Sequence, residues 1–252
     1  MDEEKVLNFE EIYPDSDLSV FVKHFWHSHN PAGDIIYTIL PDGYFDLIVE
    51  IEGIAIKNIT LFGLYTKSID INVQSGRTFF GIAFKPLAAE YILKKSISDI
   101  LNGNKSLPDG FWELNKISME SFGGFVKHTS QKILSILKTG KKIDKRKQKL
   151  FELIFSSNGS SHVQNLSNLV FWNSRQINRF FNARFGLSLK VYNNIFRCSA
   201  SYEDIKAGEF NRHQHYFDQS HFVKEVKKHT GQIPSELHEN KNDRILLFNT
   251  LP

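Results

Sequence analysis

A block of fourteen residues occurs twice in this chain, 45 positions apart: NSRQINRFFNARFG from Asn173 to Gly186, and DQSHFVKEVKKHTG from Asp218 to Gly231. Each copy opens on a side chain that can accept from the free amides of a helix N-terminus. Each closes on a glycine, which tolerates the left-handed conformation that ends a helix. The spacing therefore predicts two three-turn helices, at about 173–185 and 218–230. Their inward residues correspond, Ile177 with Phe222 and Phe181 with Val226, and so do two outward cations, Arg179 and Lys224. A chain with two such helices must fold so as to present both, an arrangement suited to successive turns of one DNA major groove.

On a helix beginning after Asn173, steps of 100° per residue put Ile177, Phe180, Phe181 and Arg184 on one side and Arg175, Asn178, Arg179 and Asn182 on the other. Arginine donates in a fork to guanine O6 and N7, and asparagine pairs bidentately with adenine, so this outer face has the chemistry of base readout. Upstream, Val163, Leu166, Leu169 and Val170 form an apolar stripe on a short helix, with Phe171 and Trp172 in a tight turn. Helix, turn and helix is the plan in which the second helix enters the groove. The second copy exposes Gln219, Ser220, Val223 and Lys224, with His221 beside them. Its supporting segment near 204–216, DIKAGEFNRHQHY, has little that is apolar, so a shortened helix or a loop is expected there. Val191, Ile195, Tyr192 and Phe196 predict an amphipathic helix linking the two units.

Charge divides along the chain. Residues 141–252 hold 18 of the 31 Lys and Arg but 10 of the 28 Asp and Glu, a balance of +8, whereas residues 1–140 stand at −5. An acidic module, 1–140, thus precedes a basic one, 141–252, which suits a polyanion. KKIDKRKQK, Lys141 to Lys149, has seven charged residues of nine, and reads as a solvated face or linker, or as a supplementary phosphate contact.

The acidic module reads as mostly strand from 18 to about 100. LPDGYFDLIVEIEGIAI offers turns at Pro41 to Gly43 and at Glu52 and Gly53 around a β-rich run, and Gly81 in TFFGIAFKP marks a bulge or a close approach of backbones. Helical spacing follows Pro86. An α+β domain is expected, with a curled, mainly antiparallel sheet and flanking helices. The single Cys198 permits no intramolecular disulfide and fits a buried structural role. MDEEKVLNFEE lacks the pattern of a signal peptide, and no apolar run approaches membrane-spanning length, so cytoplasmic residence without a membrane partner is expected.

No phosphate-binding glycine loop, GxSxG elbow or HExxH is present, so the reading is not that of an enzyme and no cofactor is expected. His24, His27 and His29 invite a metal-site reading, as do His213, His215 and His221, but ordinary histidines explain both groups and no metal site is expected.

These residues carry a resemblance. LSNLVFWNSRQINRFFNARFG resembles the first helix-turn-helix of AraC-type bacterial transcriptional regulators, with Leu166, Arg175, Ile177, Arg179, Phe181 and Gly186 in the matching places. YFDQSHFVKEVKKHTGQIP is closer still, through Asp218, Gln219, Ser220, His221, Phe222, Gly231 and Pro234. LPDGYFDLIVEI and FFGIAFKPLAAEYIL are similar, more weakly, to the sensor-like domain of one branch. The resemblance implies an all-α C-terminal domain with two helix-turn-helix motifs joined by a long helix, and an N-terminal domain that binds an effector or mediates dimerisation. It places the base-facing positions at Arg175, Asn178 and Arg179, and at Gln219, Ser220, His221 and Lys224. Four positions depart from the family: Phe171 and His215 replace glycine, Ser167 alanine and Leu189 proline.

The resulting expectation is a sequence-specific transcriptional regulator with double-stranded DNA as partner. A small-molecule effector, RNA polymerase and a second copy of the chain are further candidate partners. Two rivals are kept: an effector-binding or protein-interaction module whose repeat no longer reads DNA, and a metal-dependent enzyme built on His24, His27 and His29.

Overall fold

The computed structural model describes residues 8–31, 33–210 and 216–239. Among the described residues seven strands come first, β1 (Asn8–Ile12), β2 (Val22–His29), β3 (Ile35–Ile39), β4 (Phe45–Glu52), β5 (Ala55–Phe62), β6 (Ile69–Val73) and β7 (Thr78–Phe84), and the short β8 (Asn104–Ser106) follows a helix at Leu87–Tyr91. Six of them form one antiparallel sheet in the order β1-β2-β7-β4-β5-β8, and β3 pairs with β6 in a separate two-stranded sheet. The expected curled sheet is therefore corrected. The main sheet is open, with β1 and β8 as its edges, because β3 and β6 pair with each other instead of extending it.

Strand β4 shows how the faces divide. Phe45, Leu47, Val49 and Ile51 are fully buried, while Asp46, Ile48 and Glu50 alternate with them on the opposite face. The turns before and after β4 lie where the glycines indicated, with φ of 82° at Gly43 and 64° at Gly53. The inner face packs beneath α1 (Leu87–Tyr91) and α2 (Phe122–Thr139), where Phe80 meets the rings of Phe122 and Phe125 at 5.5 and 5.4 Å. A phenylalanine so enclosed is worth about 2 kcal/mol over an exposed one.

The remaining helices are α3 (Lys145–Ser156), α4 (Val163–Leu169), α5 (Ser174–Phe185), α6 (Leu189–Ser199), α7 (Tyr202–Lys206), α8 (Gln219–Thr230) and α9 (Pro234–Glu239). The connecting helix, expected to be long, is the 11-residue α6, and α7 follows it before the second repeat. No described helix is long and apolar enough to cross a membrane.

One apolar cluster runs from Leu18 in the strand region through Phe125 of α2 to Phe151, Phe181 and Tyr192 in the helices. A smaller one joins Leu40, beside the β3–β4 turn, to Cys198, Tyr202, Ile205, Phe222, Val226 and Leu237. Both cross residue 140, so the strand-rich and helical parts share cores. Burial pushes the Cys198 thiol up to about 12, as suits a packing group and not a reactive one.

Candidate functional site

Helices α4 and α5 are joined through Val170 to Asn173. Asn173 caps α5 by accepting from Gln176 N–H at 2.9 Å, and the Gln176 side chain accepts from Asn173 N–H in return. Gly186 ends α5 in the left-handed region at φ 77°. Phe171 is left-handed too, at φ 51°, with a ring 92% exposed, a backbone conformation that favours glycine.

The outward residues of α5 do not share one fate. Arg175 and Arg179 are exposed and make no ion pair among the described residues. Asn178 is half-buried: its amide nitrogen donates to Ser174 O at 3.0 Å, and its oxygen accepts from Leu189 N–H at 3.2 Å. A proline at 189 would have no N–H to give. Leu189 N–H thus supplies a partner that engages the Asn178 carboxamide within the protein.

Helix α8 repeats the caps. Asp218 accepts from His221 N–H at 2.8 Å, and Gly231 closes the helix at φ 81°. Gln219, Ser220 and Lys224 are exposed, whereas His221 is half-buried with its ring edge-on to Tyr216 at 5.6 Å. In the supporting stretch, α7 has five residues, and 211–215 lie outside the described residues, among them His213 and His215.

Both helices end against the strand-rich part, and one docking carbonyl is equivalent in the two. At the end of α5, Ile97 N–H donates to Arg184 O at 2.9 Å, and Ser96 Oγ donates to Ala183 O and Arg184 O at 2.8 and 3.1 Å. At the end of α8, Ser68 N–H donates to His229 O at 2.8 Å, and Ser68 Oγ donates to Thr230 O at 3.0 Å. Arg184 and His229 are 45 positions apart, the offset of the repeat. The last carbonyls of a helix lack intrahelical donors and carry its negative pole, so a serine and a backbone N–H satisfy them well.

Each end has a second tie. Buried Glu90 of α1 accepts from Lys147 at 2.8 and 2.7 Å and from Lys141, with the Arg184 guanidinium at 4.0 Å. Burial alone would raise its carboxyl, but the bonds from Lys141 and Lys147 hold it below the usual carboxylate range. For α8 the tie is neutral. The buried His229 donates through Nδ1 to Thr66 O at 2.7 Å, and burial lowers the ring below its ordinary value. The charge run at 141–149 is accordingly a joint more than a free face. Arg146 pairs with Asp144 and lies over Trp172, Lys149 meets Glu152 at 3.8 Å, and Lys142 and Lys145 stay exposed.

The outer face of the main sheet and the β3–β6 ladder enclose a cavity of about 600 Å³. Trp26 and Asp46 stand in its wall, Trp26 Nε1 donating to Asp46 Oδ1 at 2.9 Å. Gly81 makes that reach possible: a Cβ there would lie 2.0 Å from the indole, which crosses β7 over the bare backbone. Burial, and then the neighbouring Asp42, raise the Asp46 carboxyl to about 6. The cavity rim is also the grip on the helices. Tyr192 and Tyr202 hydroxyls donate to Gly43 O and Pro41 O at 3.0 Å each, while Thr66 and Ser68 lie between the lining residues Tyr65 and Ile69.

The histidines of β2 have separate neighbours: His24 lies 3.0 Å from a Glu11 oxygen, His27 3.9 Å from Glu10, and His29 2.9 Å from Thr78 Oγ1. No group of three or more potential ligands able to hold a metal occurs among the described residues. Ser68, Ser96, Glu90 and Asp46 were not singled out by sequence reasoning. For Asp46 a signal existed, since an acid inside FDLIVEIE at even spacing from Glu50 marks the face turned from the core.

Residues 10–106, less than half of the chain, match a family described as a domain of unknown function, DUF6597. No curated protein matches the sequence. Among solved structures, the chain is similar to ToxT from Vibrio cholerae O395, at 13% identity over 97% of this chain and 98% of that one, with a TM-score of 0.47. ToxT from the same strain bound to (E)-4-(8-methylnaphthalen-1-yl)but-3-enoic acid matches at 14% identity, 92% and 97% coverage and a TM-score of 0.44. Unsaturated fatty acid bound wild-type ToxT from strain SCE256 matches at 13% identity, 94% and 96% coverage and a TM-score of 0.39.

Proposed function

We propose that this chain is a non-enzymatic, sequence-specific transcriptional regulator that binds double-stranded DNA through α5 and α8 and is modulated through its strand-rich part. The observation that carries the reading is the equivalent seating of the two repeat helices. Each has free outward side chains on its first turns and its last carbonyls held by the strand-rich part. Arg175 and Arg179 are the base readers of α5. Gln219, Ser220 and Lys224 meet the DNA from α8, mainly at phosphates, and half-buried His221 positions the first turn. Asn178 is left out of the reading set because Leu189 engages it. The cavity rim supports the modulation, since the segments that line it also hold α6, α7 and α8.

Selection of bound sequences from random DNA with the full chain tests this. Two sequence blocks centred about 10 base pairs apart are expected. The absence of enrichment at low salt, with the protein folded, would remove the reading.

A second reading is a binding module whose repeat no longer reads DNA, and the brevity of α7 together with the engaged Asn178 favours it. Salt-dependent DNA affinity separates the two, because phosphate contacts impose a steep dependence that a protein-interaction surface lacks.

A further inference from the structure

The cavity has about the volume of a drug-sized ligand. Much of its wall is apolar or aromatic, including Phe9, Trp26, Tyr37, Ile48, Phe62 and Phe79. Its charges are unequal. Four carboxylates line it, Asp42, Asp46, Glu50 and Asp70, against the Lys23 ammonium and the His24 ring.

Two of these groups have a charged partner within the protein, Glu50 and His24, and the others have neutral ones. Glu50 has Lys57 and Arg77 at 3.5 Å each. Asp70 accepts from Thr38 Oγ1 at 2.6 Å, and Asp42 accepts from Tyr44 N–H at 3.0 Å. His24 faces Glu11, and the Lys23 ammonium lies over the Tyr44 ring, 4.7 Å from its centre. Asp46, like Asp42, has one hydrogen bond from a neutral donor, here the Trp26 indole, and no Lys, Arg or His nitrogen pairs with it among the described residues; it differs in its burial, which raises its carboxyl.

Burial outweighs the pull of His24 and Lys23 on this carboxylate, so its charge is costly, yet near neutral pH it is mostly ionised despite its upward shift. The arrangement is half of an ion pair set among aromatic rings. An anionic ligand would add its charge beside Asp46 and Asp42. A cationic one would complete the pair and gain from the surrounding ring faces.

We propose that the cavity binds a small organic cation, a protonated or quaternary amine on an apolar body, with its head against Asp46. The inference rests on the cavity serving as the effector site of the reading above. It is tested without DNA, so its failure and the failure of DNA reading are separate results.

Calorimetry of the full chain at pH 7.5 compares three probes of similar shape: 2-phenylethylammonium, 2-phenylethanol and 3-phenylpropanoate. The ammonium should bind at least ten times more tightly than the other two. Asp46→Asn keeps the shape and the acceptor for Trp26, and should abolish that preference while the circular dichroism stays that of the parent. Equal binding of the three, tighter binding of the propanoate, binding of none, or a preference that survives Asp46→Asn would each overturn the proposal.

Discussion

Helices α5 and α8 have the same length, the same kind of cap at each end and one equivalent docking carbonyl, yet they are held to the strand-rich part by different chemistry. Helix α5 sits on α4 and buries Phe181 and Phe185 against Phe151 and Tyr192, with ring centres between 5.5 and 6.2 Å. Helix α8 has the five-residue α7 and the smaller cluster around Phe222 and Val226. Its C-terminal end nevertheless carries as many hydrogen bonds to the strand-rich part as that of α5, through Ser68 and Thr66. A repeat in sequence thus reproduces a helix and its ends, while the element that orients the helix can come from elsewhere in the chain. Helix α5 is held to the strand-rich part through charge as well as carbonyl bonds, whereas α8 is held there through neutral groups and otherwise lies against α6 and α9.

The largest test of that difference is at Glu90, which ties the end of α5 through charge. Glu90→Ala leaves Lys147 without its buried partner, and should cost about 2 to 3 kcal/mol in urea unfolding. It should also release the amides of α5 to hydrogen exchange before those of α8. Equal release of both helices would mean that the two docks form one unit and that the contrast drawn above fails.

Next in size is the contrast in DNA reading. Arg179→Ala should lose about 2 kcal/mol on a selected site and much less on unrelated DNA. Lys224→Ala should lose less than about 1 kcal/mol on both and lower the salt dependence by about one counter-ion. A loss at Arg179 that is the same on every sequence would make it a phosphate contact and the two helices alike.

Caps and periodicity made both helices legible from sequence, because each is decided by a few neighbouring residues. The strand β4 was equally plain as a β-rich run, and so were its flanking turns. What escaped depends on partners far along the chain. A helical projection put Asn178 on the outer face, but could not show the Leu189 amide eleven residues away that engages it. Ser68 and Ser96 look like any loop serines until two helix ends arrive above them. The openness of the sheet lies in the pairing of β3 with β6, which no single strand encodes. Gly81 reads in the sequence as a bulge or a close approach of backbones, whereas what approaches is the indole of Trp26.

Acid should separate the two docks in the opposite order from Glu90→Ala. His229 is buried, and burial holds its ring below the ordinary value, so the native state binds fewer protons there than the unfolded chain. Its contribution is therefore complete above about pH 6.5 and declines as the pH falls below that value. Glu225 and Lys228 are the charged groups beside it, and they act in opposite senses. Glu90 is lowered instead, so its contribution persists until the pH falls below the ordinary carboxylate range. Hydrogen exchange between pH 7 and 5 should show α8 losing protection first, with α5 unchanged. Simultaneous loss would place the pH response outside His229.

The smallest expected effect has the opposite sign. Phe171 holds a left-handed backbone that disfavours a side chain by roughly 1 to 2 kcal/mol, and its exposed ring recovers little by burial. Glycine relieves that strain but adds freedom to the unfolded chain, worth about 0.5 to 1 kcal/mol. Phe171→Gly should therefore stabilise the protein by no more than about 1 kcal/mol, read as a small rise in unfolding temperature. The same variant weighs the turn's role in binding. If DNA affinity falls by a similar factor on every sequence while stability rises, the ring touches the nucleic acid backbone, and the strain is kept for contact. If affinity is unchanged, the turn only aims α5, and the burden of recognition stays with Arg175 and Arg179.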